Sequence, residues 1–291
     1  MRPPISGRRL LLSSLFGTWT ALAADSGINS PVQSAARPFG LEIAGPVKLA
    51  GSDAAASTFQ TEALPGLSAL VQTRLSEQGP INDSTLLLDP DKLILSTAAD
   101  VRVYFVGEGA GYHNSLGFNT AGGGVTSGNP LLIFPDASSR VSTYSPNAQG
   151  SVARTGAEPL LAGDFVDLGN FAAGTKLDFF LIANGASGGN QVFSTDGSVN
   201  PDGINHVVSF AALSGSYLLI GFEDLFGGGD RDFNDVLFAV DIGARNLATL
   251  TAAHEPATVA ILAAFLGVGG WIFRRRANPP GGSPSQSLRP G

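Results

Sequence analysis

The sequence contains no cysteine and only three histidines among its 291 residues. The lack of cysteine excludes disulfides, thiolate metal sites and cysteine nucleophiles. So few histidines leave little material for a zinc site or a Ser-His-Asp triad. Basic residues are also scarce, with 17 Lys and Arg against 24 Asp and Glu, and the formal net charge is -7. Because phosphate binding requires clustered cations, we predict no nucleic-acid partner and favour a hard metal cation instead.

Two glycine-rich segments match the residue patterns of enzyme motifs but lack the helix that follows the glycines in those motifs. The segment GEGAG at Gly107 to Gly111 follows a predicted strand, but no helical pattern follows it, as a dinucleotide-binding loop would require. The segment GASGG at Gly185 to Gly189 fits G-x-S-x-G around Ser187, and it also lacks the helix of a nucleophile elbow. We therefore predict that the protein is not an enzyme and has no catalytic residues.

The N-terminal segment has the features of a secretory signal peptide. Arg8 and Arg9 precede an apolar run, and Ala21-Leu22-Ala23 forms a small-x-small cleavage site. This pattern predicts a signal peptide at residues 1–24 and an exported protein. The composition that follows predicts a loosely ordered segment at residues 25–85. One short helix is predicted within that segment by apolar residues at helical spacing, namely Leu67, Leu70, Val71 and Leu75.

Residues 86–242 consist of short apolar or alternating runs separated by Gly, Asn, Asp and Pro. In one run Val101, Val103 and Phe105 alternate with other residues, as in a strand with one buried face. Many short strands with little helical pattern predict an all-β domain, an antiparallel β-sandwich of jelly-roll-like type. Residues 243–253 are predicted to be a linker.

The C-terminal region predicts a membrane helix. Glu255-Pro256 precedes an uncharged run from Ala257 to Phe273, and Arg274 to Arg276 close it. As a helix the run spans roughly 25 Å, at the lower limit for crossing a bilayer, with its arginines in the cytoplasm. A plain C-terminal membrane anchor is one interpretation. Residues 277–291 are predicted to be a disordered tail.

Residues 254–276 also resemble the PEP-CTERM sorting signal of exopolysaccharide-producing Gram-negative bacteria, although His254 stands where that signal has its first proline. The resemblance implies a membrane-anchored protein that a sorting peptidase of the exosortase type processes. It also implies a location in the cell envelope or extracellular matrix, with exopolysaccharide as a partner.

A cluster of carboxylates lies in the segment GFEDLFGGGDRDFNDVLFAV, Gly221 to Val240. Two like charges about 4 Å apart repel by roughly 4 kcal/mol at an effective dielectric near 20, so such a cluster needs protons, water or a cation. Asp230, Asp232 and Asn234 stand at i, i+2 and i+4, the order of oxygen ligands in a calcium loop. The loop is not an EF-hand, because Asp235 occupies the position of the required glycine and a strand pattern follows. A calcium ion here would need ligands from a second segment.

The segment EGAGYHNSLGF, Glu108 to Phe118, is the candidate for that second segment. Together the two segments resemble the domain of unknown function 4114 family, whose pattern joins E-G-A-G-Y-x-N-S-L-G to a later G-F-E-D…G-G-D-x-D-F-N-D. The resemblance covers about Leu86 to Ile242 and implies a β-sandwich whose acidic segment binds calcium. The predicted ligand set comprises loop ligands Asp230, Asp232 and Asn234, further ligands or acceptors Glu223, Asp224 and Asp235, and the cross-segment ligand Glu108.

We therefore predict a non-catalytic, calcium-binding protein of the cell envelope or exopolysaccharide matrix. The first alternative is a calcium-dependent carbohydrate-binding or adhesion module, which exposed aromatic residues in a shallow groove would favour. A second is a glycoside hydrolase, which needs two carboxylates about 5 to 10 Å apart in a cleft. A third is an acidic turn whose charges simply face water.

Overall fold

The computed structural model describes residues 33–75, 87–141, 154–212 and 215–254. The strands within these ranges are β1 (Leu87–Leu88), β2 (Ala99–Gly107), β3 (Ser115–Asn119), β4 (Leu131–Phe134), β5 (Phe165–Phe171), β6 (Asp178–Ala183), β7 (Gln191–Ser194), β8 (Val207–Ala211), β9 (Tyr217–Phe222) and β10 (Val236–Asp241). The helices are α1 (Ala54–Thr58), α2 (Leu64–Arg74) and α3 (Ala244–His254), and a π-helical turn at Phe59–Ala63 joins the first two. Short 3-10 turns lie at Pro38–Gly40, Pro90–Lys92, Gly185–Ser187 and Gly197–Val199.

The strands form two sheets. The larger sheet has the order β1-β8-β9-β10-β2-β5 and the smaller has the order β4-β3-β6-β7. All of the strand pairs within these two sheets are antiparallel. The prediction of an antiparallel all-β domain, consistent with a sandwich, is therefore confirmed.

The main hydrophobic core lies between the two sheets. It contains Val101, Val103 and Phe105 from β2, so the alternation in the sequence marks the inward face of that strand. Phe179 of β6 and Phe238 of β10 meet across the two layers, with ring centroids 5.2 Å apart. Each fully buried Phe of this kind contributes roughly 1.5 to 3 kcal/mol, so such contacts hold the two sheets together.

Helices α1 and α2 cover the outer face of the larger sheet. All four apolar residues that predict a helix from the sequence are buried there, namely Leu67, Leu70, Val71 and Leu75. Helical structure begins earlier than the pattern indicates, at Ala54, because the Asp53 carboxylate accepts the Ala56 N–H at 2.8 Å and caps the first turn. Phe59 then stacks on Tyr104 of β2 at 3.9 Å.

Helix α3 occupies the segment for which the sequence predicts a linker at residues 243–253. Leu247 and Leu250, three residues apart, are buried in the main core. Asn246 accepts the Thr97 N–H at 2.8 Å and donates to the Ile242 carbonyl at 2.7 Å. These contacts bury the apolar side of the helix. That burial stabilises a helix that the composition of the segment does not by itself predict.

Within the described ranges, no helix has both the length and the apolar character needed to cross a membrane. The predicted signal peptide at 1–24, the membrane segment Ala257–Phe273 and the tail at 277–291 lie outside the described residues.

Candidate metal site

The acidic segment forms the connection between β9 and β10. Phe222 pairs with Val236 at the end of this hairpin, so residues 223–235 project from one end of the larger sheet. Gly107 at the end of β2 pairs with Leu237 at the same end, which places residues 108–114 beside the connection. Strand β8 begins there too, since Val207 pairs with Phe222. Three separate segments therefore converge at this end of the domain.

The carboxylates of the connection form two overlapping groups. Glu223, Asp224 and Asp235 have ligand oxygens within 4.8 Å of one another, and so do Glu223, Asp230 and Asp232. Glu223 belongs to both groups and is only 1% exposed. Asp224 and Asp232 are also buried, whereas Asp230 faces solvent. The predicted loop acids thus come together, and most of their charge is withdrawn from water.

Backbone N–H groups of the connection hold these carboxylates in place. The Glu223 carboxylate accepts the N–H of Leu225 at 3.4 Å and the N–H of Arg231 at 3.2 Å. The Asp235 carboxylate accepts the N–H of Asp224 at 2.7 Å. No ion pair with Lys or Arg involves Glu223, Asp224 or Asp235 in the part of the chain that the structure describes. The hydrogen bonds fix the positions of the acids but leave their charge without a cationic partner.

Asp232 and Asn234 form a second, more local set of bonds. The Asp232 carboxylate accepts both the backbone N–H and the side-chain amide of Asn234. The Asn234 amide also donates to the Leu75 carbonyl at 3.4 Å. Both side chains are 3% exposed. These bonds attach the connection to the end of helix α2.

The backbone of the connection adopts unusual conformations. Arg231 and Phe233 have φ values of 63° and 55°, in the left-handed region that non-glycine residues seldom occupy. Each such residue costs on the order of 1–3 kcal/mol, so the surrounding bonds must compensate for it. Gly229 is required for a different reason, because a Cβ at this position would overlap the Glu223 carboxylate. The glycine run therefore provides room for the central acid.

Burial and mutual repulsion raise the pKa values of the central acids. Burial, together with the negative charge of Asp224, raises the pKa of Asp235 to about 9. Burial also raises the pKa of Glu223 and of Asp224, although a bond from the Asn114 amide opposes the increase at Asp224. Without a cation, Asp235 therefore retains its proton at neutral pH. A bound cation would displace that proton and stabilise the charged form.

The cross-segment residue Glu108 lies outside both groups of acids. Its carboxylate accepts the N–H of Ser139 at 3.2 Å, and burial raises its pKa to about 7. The two segments meet through the backbone instead, where the Gly109 N–H donates to the Asn234 carbonyl at 3.0 Å. A side chain at Gly109 would overlap the Asn234 amide oxygen. The structure thus brings the two predicted segments together at Gly109 and Asn234.

Three residues of the site were not predicted from the sequence. Asn114 is 1% exposed and donates to the Asp224 carboxylate at 2.7 Å. His206 and Asp202 contact the backbone of the connection from the segment before β8. Asn114 belongs to the second segment and was identifiable as a polar residue there. Nothing local in the sequence indicates His206 or Asp202, because only the pairing of β8 with β9 places them at the site.

A cavity of about 300 Å³ opens beside the acids. Its polar lining includes Asp224 and Asp235, and its rim includes Tyr112 and Leu225, which are 43% and 44% exposed. Backbone from Gly109 to Gly111 completes the wall. The cavity gives a small molecule access to two of the carboxylates.

The side chains closest to a catalytic triad do not have its geometry. Ser138 Oγ and Asp136 Oδ2 lie 3.1 Å and 3.3 Å from the same His113 ring nitrogen, Nδ1. In a triad the two partners occupy opposite ring nitrogens, so that the histidine can accept a proton from the serine. His113 with its two neighbours is therefore a structural contact rather than a nucleophile and base.

Comparison with known proteins finds a family model that matches part of the chain. Residues 171–243 match the model of the family described as Domain of unknown function (DUF4114). The matched range contains the whole of the acidic connection and the strands on either side of it. No curated protein and no solved structure matches the chain. The match supports the resemblance to this family for the second of the two segments, whereas the segment Glu108 to Phe118 lies outside the matched residues.

Proposed function

We propose that the protein is a non-catalytic, calcium-binding β-sandwich of the cell envelope or extracellular matrix. The observation that carries this proposal is the position of Glu223, which is buried and shared by two groups of three carboxylates. A protein gains nothing in stability from buried acids that repel one another. A divalent cation at this position would convert the repulsion into attraction.

Calcium suits the donor set better than other cations. The candidate ligands are carboxylate and amide oxygens, namely Glu223, Asp224, Asp230, Asp232, Asn234 and Asp235. Oxygen-only sites favour Ca²⁺ or Mg²⁺ over zinc and copper, which prefer nitrogen and sulfur. Ca²⁺ accepts the irregular geometry of a loop, whereas Mg²⁺ requires a near-ideal octahedron. The sequence also predicts Glu108 of the second segment as a ligand, but its carboxylate lies outside both groups of acids, so the site proposed from these groups does not include it.

Calorimetry tests calcium binding directly. At a calcium concentration one hundred times the dissociation constant, binding should add about 2.7 kcal/mol to the free energy of unfolding. Glu223→Gln should remove most of this gain, because it removes the shared ligand. Asp91→Asn is the matched control, since Asp91 is an exposed acid that pairs with Lys176 elsewhere. A melting temperature that calcium leaves unchanged would contradict the proposal.

Export and membrane attachment form the second part of the proposal. The signal peptide pattern at 1–24 and the apolar run Ala257–Phe273 with its arginines support it. The proposed partners are the membrane, a sorting peptidase of the exosortase type and exopolysaccharide, with no nucleic acid.

Deletion of residues 257–291 should move the protein from the membrane fraction to the soluble exported fraction, as measured by fractionation and immunoblotting. A full-length protein that is soluble with its tail intact would contradict this expectation.

A calcium-dependent carbohydrate-binding module is the second candidate. The observation that favours it is Tyr112, an exposed aromatic residue on the rim of the cavity beside Asp224 and Asp235. Tyr112→Ala should then weaken binding to exopolysaccharide in the presence of calcium, while Phe39→Ala, at an exposed aromatic that lines a different cavity, should not. A glycoside hydrolase is less well supported, because within each of the two groups the carboxylate oxygens lie within 4.8 Å of one another, closer than the roughly 5 to 10 Å that hydrolysis uses.

A further inference from the structure

His206 is a buried side chain whose ring contacts the backbone of the acidic connection. It is 0% exposed and lies directly before β8. Its Nδ1 is 3.0 Å from the Glu223 carbonyl oxygen, and its Nε2 is 2.8 Å from Asp202 Oδ2. The ring also stacks on Phe193, with centroids 3.7 Å apart and planes 16° apart. These contacts hold the imidazole at both ring nitrogens and at the face that stacks on Phe193.

Both ring nitrogens of His206 have a partner. A backbone carbonyl can only accept a hydrogen bond, so Nδ1 donates to Glu223. Nε2 lies 2.8 Å from the Asp202 carboxylate. The histidine therefore links Asp202 to the backbone of the acidic connection.

Asp202 extends this contact to a second point of the connection. The same Oδ2 atom that accepts from His206 also accepts the Gly227 N–H at 2.8 Å. The connection is therefore held at Glu223 and at Gly227 by one pair of side chains. Its backbone is held further by the Glu223 N–H, which donates to the His206 carbonyl at 2.9 Å.

We propose that His206 and Asp202 are positioning residues that hold Glu223 ready for the cation. This inference rests on the proposed calcium-binding function and assigns the pair no direct contact with the ion. Residues that orient a metal ligand typically change metal affinity by about 10–100-fold when they are replaced. The same bonds hold the backbone of the connection at Glu223 and Gly227 without any contact to the ion.

Two substitutions separate the contacts of His206. His206→Phe keeps the ring that stacks on Phe193 but removes both donors. His206→Asn keeps a donor near the position of Nδ1, for the Glu223 carbonyl, and loses the bond to Asp202. Ser209→Ala is the control, because Ser209 is a buried residue of the same strand that bonds to the Leu88 carbonyl, away from the site.

The test measures two quantities on the full-length protein. The first is the calcium dissociation constant by titration calorimetry, and the second is amide hydrogen exchange at Leu225, Gly227 and Arg231 without calcium. His206→Phe should raise the dissociation constant about 10–100-fold and speed exchange at these amides. His206→Asn should give a smaller change in both. Ser209→Ala should lower the melting temperature while leaving both quantities as in the wild type.

The outcomes distinguish this inference from the proposed function. Wild-type calcium affinity and wild-type exchange in the His206 variants would overturn the positioning role alone. If His206→Phe fails to fold, His206→Asn decides by the same two measurements. Failure of the wild-type protein to bind calcium would overturn the proposed function, and with it the role assigned here to His206.

Discussion

At the scale of single residues, the surroundings of Glu223 and Asp235 have two opposing effects on the pKa of each acid. Both carboxylates accept backbone N–H bonds, which favour the charged form, yet burial and neighbouring charge raise both pKa values. The charged forms of these carboxylates are therefore destabilised in the folded protein. Under the proposed function, a bound cation would offset this effect.

The pH dependence of stability tests this reasoning at Asp235. The pKa of Asp235 is about 9 in the folded protein against an ordinary value of 3.8. Between these values the folded chain retains a proton that the unfolded chain has lost, so the free energy of unfolding falls as the pH rises. The slope for one proton is at most about 1.4 kcal/mol per pH unit. Glu108, with a pKa raised to about 7, adds a decrease of the same sign at lower pH.

Urea unfolding of the metal-free protein between pH 5 and pH 8 measures this slope. Asp235→Asn should flatten it, because Asn resembles the protonated acid and cannot ionise. Asp91→Asn should leave it unchanged, since Asp91 is an exposed acid that belongs to neither group of acids and pairs with Lys176. A slope that is the same in Asp235→Asn and in the wild type would mean that Asp235 does not hold the proton.

At the scale of elements, the β9–β10 connection is unusual because its residues with strained backbone and its glycines lie around one carboxylate, that of Glu223. Gly227 and Gly229 both have positive φ, at 84° and 44°. A side chain at Gly227 would meet open space, whereas one at Gly229 would meet the Glu223 carboxylate. Both positions therefore require a residue that tolerates positive φ, but only a side chain at Gly229 would contact the proposed ligand Glu223.

Alanine substitutions at these two glycines separate strain from steric contact. Gly227→Ala should destabilise the metal-free protein by about 1 kcal/mol, because alanine is strained at positive φ. Gly229→Ala should destabilise it further and should also weaken calcium binding by displacing Glu223. Thermal unfolding with and without calcium measures both effects. Equal calcium affinity in the two variants would show that Gly229 does not shape the site.

The elements themselves were partly predictable. Period-two alternation identifies strands such as β2, because one face of each strand packs in the core between the sheets. Helix α2 was predictable from its apolar spacing. Helix α3 was not, since its sequence contains only two apolar anchors, Leu247 and Leu250, and its stability depends on their burial against strands far away in sequence.

At the scale of the whole molecule, the site depends on segments that the sheet order brings together. The two predicted segments meet where β2 and β10 end, at Gly109 and Asn234. Glu108 itself is directed to Ser139. The energetic coupling between Glu108 and the acidic connection therefore depends on the tertiary structure, and mutation can measure it.

A double-mutant cycle with Glu108→Gln and Asp230→Asn tests this coupling. Because Glu108 lies outside both groups of acids, the effects of the two substitutions on calcium affinity should add to within about 0.3–0.5 kcal/mol. Titration calorimetry on the wild type, both single variants and the double variant measures the sum. A larger departure from additivity would place Glu108 among the ligands, as the sequence pattern predicts.

The sequence by itself determined the strand pattern, the position of the acidic connection and, through the lack of cysteine, the exclusion of thiolate ligands. These follow from local rules, because side-chain periodicity and the composition of a loop are read along the chain. Only the tertiary structure decided that Glu223 is the shared acid, that Asn114 rather than Glu108 bonds to Asp224, and that His206 lies beneath the connection. Those facts depend on which strands pair and in what register, and pairing between segments distant in sequence is set by burial in a common core.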